Sequence, residues 1–192
     1  MKIFIDQGHN PQNPNAGAEA NGIREQDVNY IVGVELAALL RTNPFFEVML
    51  SRNSPTEQLG TSNATSLAAR VNAANSWGAD YFISLHCNTS VNTSASGSEV
   101  YVYSETSPAF PLGEDILVGL QISTGLPNRG MFINPSLYVL RRTNMPALLV
   151  EMGYLTNPTD AELLSMYPQL FARGIYNGML AYFQLIDETA DE

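Results

Sequence analysis

The 192-residue chain is sparing with the residues that usually advertise chemistry: it has one cysteine, two histidines and one tryptophan, and only 15% of its residues are charged. A lone Cys87 cannot close an internal disulfide, so cysteine usage points to neither an oxidising nor a reducing compartment. Lys and Arg number nine against nineteen Asp and Glu, for a formal charge of −10. That balance argues against nucleic acid as a partner, because phosphate binding needs clustered cations, and it offers no attraction to anionic lipid. No apolar run approaches the roughly 18 to 20 residues of a membrane span. Met1-Lys2 leads straight into an apolar strand with no signal-peptide core ahead of it, so an export signal is expected to have been removed or to lie outside this chain.

What is present reads as one compact globular unit, apolar at 45%. We expect a single domain over residues 1–186, with 187–192 as a frayed acidic tail. Ile3 to Asp6 reads as a strand, Gln7 to Asn21 as a loop rich in Asn, Pro, Gly and Ala, and Glu25 to Leu40 as a helix with apolar residues at helical spacing and acids in its first turn. Phe46 to Leu50 is a short strand, Leu67 to Trp77 a helix ending near Gly78, and Tyr81 to Leu85 a strand that follows at the tight spacing of a parallel layer. Further on, Ser98 to Tyr103 alternates as a strand, Leu112 to Ile122 is helical, Pro127 to Gly130 is a loop, and Leu137 to Arg141 and Ala147 to Val150 read as two strands divided by Pro146. Asp160 to Met166, capped by Asn157 or Thr159, and Gln169 to Leu185 are the closing helices. The alternation predicts an α/β fold: an open, mainly parallel twisted sheet of about six strands with helices on both faces.

Three strands end in chemistry. The apolar run L-L-V ends in Glu151 and breaks at Gly153, K-I-F-I-D-Q-G-H carries His9 just past a strand, and D-Y-F-I-S-L-H-C-N carries His86 at the end of another. The carboxyl ends of strands are where open α/β sheets bind ligands, and the chain's only two histidines both fall there. Two imidazoles plus one carboxylate, with a fourth position left open, form a catalytic zinc set. Glu25, at the start of the helix after the first strand, is a candidate third ligand; Glu19 and Asp27 compete with it, and an acid at a helix start is also favoured by the macrodipole alone. Asp6 is a candidate acceptor for a ligating imidazole, and Arg141 and Asn88 are candidates for holding substrate, although Arg141 also reads as a surface cation. Cys87, flanked by His86 and Asn88, invites a nucleophile role, but a lone Cys is more commonly a small buried hydrophobe.

The order I-D-Q-G-H, G-I-R-E, S-L-H-C-N, G-S-E-V-Y-V-Y, N-R-G, L-Y-V-L-R and P-A-L-L-V-E-M-G-Y-L-T-N resembles the zinc-dependent N-acetylmuramoyl-L-alanine amidases of the Amidase_3 family over nearly the whole chain. The resemblance implies Zn²⁺ held by His9, Glu25 and His86, and Glu151 as catalytic acid/base. It also implies peptidoglycan as substrate, cut at the amide between the lactyl group of N-acetylmuramic acid and the L-alanine of the stem peptide, at the cell wall or outside the cell. Such an amide resists water, and zinc answers that by lowering the pKa of a bound water from 15.7 to about 7. Two departures stand out. Asn10-Pro11 follows the first His where relatives commonly carry Gly, and only Ser104 to Pro111 follows the Ser98 to Tyr103 strand, where some relatives insert a helix that blocks the zinc. The chain is therefore expected to be an open catalytic domain, monomeric and needing no activator protein. The competing expectations are a zinc peptidase acting within the stem peptide and a non-catalytic wall-binding module.

Overall fold

The computed structural model describes residues 1–187; positions 188–192, most of the expected acidic tail, lie outside the described residues. In chain order the strands are β1 (Lys2–Gln7), β2 (Glu19–Ala20), β3 (Ile23–Arg24), β4 (Glu47–Leu50), β5 (Tyr81–Asn88), β6 (Ser98–Val102), β7 (Asn128–Ile133) and β8 (Ala147–Tyr154). The helices are α1 (Glu25–Thr42), α2 (Asn63–Trp77), α3 (Ala109–Thr124), α4 (Tyr138–Arg142), α5 (Pro158–Met166) and α6 (Pro168–Phe183). Six strands form one sheet in the order β4-β1-β5-β8-β6-β7, and β2, at the end of the expected Gln7 to Asn21 loop, pairs with β3 just beyond it as a separate small hairpin. β4, β1, β5 and β8 run parallel, whereas β6 meets β8 antiparallel and β7 lies parallel to β6. The expected mainly parallel six-stranded sheet is therefore present, with one member exchanged.

That exchange is the main correction to the reading from sequence. Leu137 to Arg141, expected as a strand, belongs to the short helix α4, and the sixth strand is instead β7, which begins within the expected Pro127 to Gly130 loop. A short apolar run does not distinguish strand from helix by periodicity. β7 was concealed by its bulge: the β6/β7 register shifts between Ser98 and Val100, and Gly130 takes φ +95.

Alternation along the strands builds two cores. Ile3, Ile5, Ile83, Leu85, Val100, Leu148 and Val150 face α1, α3 and α6, while Phe4, Phe82 and Leu149 face α2 and α4. α2 is well bounded, with a capping box between Ser62 and Thr65 and a left-handed Gly78 at its end. From its buried side Arg70 reaches under the sheet end, donating from Nη1 to Asp6 Oδ1 at 2.6 Å and to the Gln7 carbonyl at 2.7 Å, and from Nη2 to the His9 carbonyl. One cation thus fixes the backbone that carries His9.

On the other face α3 and α6 touch backbone to backbone. A Cβ at Gly119 would lie 2.2 Å from the Gly174 carbonyl oxygen, and one at Gly178 would lie 2.5 Å from that of Asp115. Neither obstacle is a side chain that swings away. We predict that Gly119→Ala and Gly178→Ala each lower unfolding free energy by about 1 to 3 kcal/mol through overpacking, read by urea titration; unchanged midpoints would show that the helices separate without cost.

Candidate metal centre

The sheet's alternation puts Asp6 of β1, Ser84 and His86 of β5, Leu149 and Glu151 of β8, and Glu99 and Tyr101 of β6 on the α2/α4 face. Register then aligns them: His86 pairs with Glu151 across β5 and β8, and Glu151 pairs with Glu99 across β8 and β6. His9 stands just past the end of β1 in the left-handed region, φ +68, and Gly8 lets its neighbour strand come close: a Cβ there would lie 2.5 Å from Cε1 and Nε2 of His86. The two imidazole rings meet edge to face with centroids 4.8 Å apart.

Glu25, the first residue of α1, closes the group. Its Oε1 lies 3.1 Å from His9 Nε2 and 2.9 Å from His86 Nδ1, and it accepts from the Cys87 amide at 3.1 Å; Oε2 accepts from the Ala18 amide at 2.9 Å. Gly17 makes room, since a Cβ there would stand 2.8 Å from Oε2. Burial works to raise the pKa of Glu25, but its hydrogen bonds with His86 and His9 and their charges override burial and hold the carboxyl well below its ordinary range. Three nitrogens crowd one carboxylate oxygen.

One donor atom from each of His9, Glu25 and His86 lies within 4.8 Å of the others, the one such cluster among the described residues. Imidazole nitrogen and carboxylate oxygen are zinc donors, and tetrahedral bonds of about 2.0 to 2.1 Å set ligand atoms about 3.3 Å apart, close to the two Glu25 contacts. The donor set fits the ion. Glu19 and Asp27, which sequence spacing had left in contention, instead bind Arg24 at 3.2 and 3.3 Å on the surface.

Glu151 is in a different condition from Glu25. Its Oε2 is buried with no hydrogen-bond partner. Burial pushes its pKa up to about 8, helped by the charges of Glu25 and Glu99. Glu99 stays ionised because it is well served: it accepts from Tyr154 Oη at 2.5 Å, Arg129 Nε at 2.6 Å, Tyr101 Oη at 2.8 Å and Asn88 Nδ2 at 3.2 Å. Those bonds outweigh its burial and lower its pKa.

Two expected partners are engaged elsewhere, and a third stays at the rim. Asp6 does not support an imidazole: Oδ1 takes Arg70 and Oδ2 takes Ser84 at 2.7 Å, while His9 Nδ1 is buried without a partner. Arg141 lies on α4 and lines a groove with Pro146 and Ala147, at the end of β8 opposite Glu151; four residues of strand, about 13 Å, intervene. The expectation that it holds substrate came from reading its helix as a strand, and the alternative of a surface cation fits its place on α4. Asn88 is turned to Glu99. Cys87 is buried toward the apolar α1 side and its thiol pKa is pushed well up, first by burial, so it is an inert core residue. Arg70, Glu99, Arg129 and Tyr154 had no assigned role in the sequence. The one available signal was Ser66, Arg70 and Ala74 recurring every four residues, a cation on the buried stripe of α2.

The tension at Glu151 is measurable. The folded state keeps a proton that the unfolded chain releases near the ordinary pKa of 4.5, so stability from the neutral carboxyl is full below about 4.5 and is lost as pH rises through about 8. In chelator-treated protein, free of any dication that would itself lower carboxylate pKa values, Glu151→Gln should gain stability over the wild type progressively across that window. Denaturant titrations from pH 5 to 9 check this; parallel curves for the two proteins would refute it.

Comparison with known proteins adds to this geometry. The Amidase_3 family model, described as N-acetylmuramoyl-L-alanine amidase, matches residues 3–181. The N-acetylmuramoyl-L-alanine amidase CwlM of Bacillus licheniformis is 38% identical over 194 residues, covering 99% of this chain and 72% of its own. The catalytic domain of CwlV, an N-acetylmuramoyl-L-alanine amidase from Bacillus (Paenibacillus) polymyxa, superimposes with a TM-score of 0.82 at 28% identity, covering 96% of this chain and 99% of that one. The CwlD amidase of Clostridioides difficile, solved in complex with the GerS lipoprotein, shares the fold with a TM-score of 0.87 at 23% identity, over 95% and 98% of the two chains.

Proposed function

Because the chain belongs to the Amidase_3 family of N-acetylmuramoyl-L-alanine amidases, we propose that it hydrolyses peptidoglycan at the amide joining the lactyl group of N-acetylmuramic acid to the L-alanine of the stem peptide, with zinc held by His9, Glu25 and His86 and with Glu151 as acid/base. The observation that carries this reading is the His9–Glu25–His86 cluster standing in register with a buried Glu151 whose Oε2 has no hydrogen-bond partner. When bound, zinc supplies the Lewis acidity that makes water a nucleophile near neutral pH and polarises the amide carbonyl.

The remaining work falls to the chain. A bound dication would favour the ionised form of Glu151, and in that form Oε2, with no competing hydrogen bond, accepts the proton of the water whose oxygen bonds to the acyl carbon. It then passes that proton to the alanine nitrogen as the C–N bond breaks, leaving a lactyl carboxylate and a free amine. A carboxyl whose pKa is raised toward working pH is suited to both transfers. Burial, with the charges of Glu25 and Glu99, keeps it raised, and Arg70 holds the His9 backbone so that both imidazoles address one carboxylate oxygen. The action goes with a location at the cell wall, and no helix among the described residues is long and apolar enough to cross a membrane.

Digesting purified peptidoglycan and weighing the products tests the bond: free lactyl ends and free alanine amines are expected, whereas intact muramoyl-alanine with a shortened stem would mean a peptidase. On the same samples, metal analysis separates the carboxylates. Glu25→Ala should lose zinc and activity together, and Glu151→Gln should keep zinc while turnover drops at least about a hundredfold. Zinc loss from Glu151→Gln would make that residue a ligand; no product at all from zinc-loaded wild type would favour a wall-binding module.

We further propose that no activator is required. Only residues 103–108 connect β6 to α3, too few for a helix that covers the centre, although the CwlD amidase was solved with a lipoprotein partner. The isolated chain should digest peptidoglycan by itself, and a preparation inert until another protein is added would sink the idea.

A further inference from the structure

A cavity of about 130 Å³ opens beside the two imidazoles on the α2/α4 face, and the chemistry described above leaves it unused. His9 and His86 form its upper wall, and Leu67 of α2, Leu137 and Val139 at α4 and Leu149 of β8 line the rest. Leu149 precedes Glu151 by two residues on the same face of β8, so the floor lies about 7 Å along the strand from the acid/base. The cavity is far roomier than the roughly 10 to 15 Å³ that admits one water. Its polar neighbours have little to offer a ligand: Arg70 spends both Nη atoms on Asp6, Asn10 and the carbonyls of Gln7 and His9, Asp6 spends its oxygens on Arg70 and Ser84, Asn15 donates from Nδ2 to Ser66, and the unpartnered His9 Nδ1 and Arg70 Nε have almost no accessible surface. An apolar slot whose polar neighbours are hydrogen-bonded or shielded favours an apolar occupant.

We propose that this cavity is a specificity pocket for a small apolar group carried on a carbon adjoining the scissile amide, an inference that rests on the proposed function. Two groups in that substrate meet the description: the methyl of the lactyl group on the acyl side and the side chain of the first stem residue on the amine side. Filling an apolar pocket with one methyl group discriminates by about 10- to 200-fold. Since the cavity exceeds a methyl, an ethyl group at the same carbon is accommodated as well.

The test uses zinc-loaded full chain and four synthetic muramoyl-peptides: the parent, one with glycine in place of alanine, one with 2-aminobutyrate there, and one with glycolyl in place of lactyl. Turnover of the parent checks the functional reading by itself; if the parent is not cut, that reading fails and the pocket is not what failed. With the parent cut, one of the two methyl deletions should lower kcat/KM at least about tenfold, and which one identifies the group. If the responsive side is the first residue, the 2-aminobutyrate substrate should match or exceed the parent. Leu67→Phe and Leu137→Phe, both half-buried wall positions, should fill the slot and shrink that ratio toward one, with zinc content unchanged. Two variants guard against one misfolding. Neither deletion mattering, or a ratio that survives both fillings, would overturn the proposal.

Discussion

The register of β8 between its two neighbours is the constraint on which the rest depends. Parallel to β5 on one side and antiparallel to β6 on the other, β8 brings Glu151 opposite His86 and opposite Glu99 in one row. Side chains alternate faces along a strand, so a slip of one residue would turn Glu151 into the α1 side and send Val150 or Met152 toward His9, Glu25 and His86. Leu148, Val150 and Met152 resist the slip: each is fully buried against the helices of that side, and moving them to the other face would strand several apolar side chains. Hydrophobic packing on one face of the sheet thus aims the polar chemistry on the other.

That row would be unstable if its charges were not individually satisfied. Four carboxylates lie close together in a poorly solvated rim, and each is handled differently. Glu25 is loaded with nitrogen contacts, Glu99 with hydroxyl, guanidinium and amide donors, and Asp6 with Arg70 and Ser84, so all three remain ionised despite burial. Glu151 receives none of this and keeps its proton instead. Two environments side by side give two kinds of carboxylate, one that stays charged and one whose pKa is raised toward neutrality. The antiparallel turn of β6 matters here, because it delivers Glu99 and its supporting Tyr101 to the flank of Glu151.

Much of the outline was legible along the chain. Apolar runs ending in His86 and Glu151, and one ending just before His9, mark strand ends, and helical spacing marks α1, α2 and α6. What failed was local ambiguity. Leu137 to Arg141 and Asn128 to Ile133 each carry too few residues for a period to declare itself, and Gly130 and the bulge made a true strand read as a turn. Arg141 was misplaced with its segment. Asp6 was placed correctly on its strand, but the partner it takes, Arg70, is contributed by a helix 64 residues away, and no local pattern reports such a pairing.

The sequence by itself determined the layered α/β class, the rim on which the histidines and Glu151 fall, and, by its likeness to a known family, the chemistry to expect there; these follow from periodicity and short motifs, which are properties of neighbours along the chain. Spacing left Glu19 and Asp27 beside Glu25 and the family likeness chose Glu25; only the tertiary structure decided that one oxygen of Glu25 meets both imidazoles, that Glu99 stands beside Glu151, that Arg70 anchors His9, and that an apolar slot opens beneath them. Each of those depends on strand register or on a helix crossing a strand, set by the packing of residues far apart in sequence, where burial and Coulomb energy act through space without regard to the path of the chain.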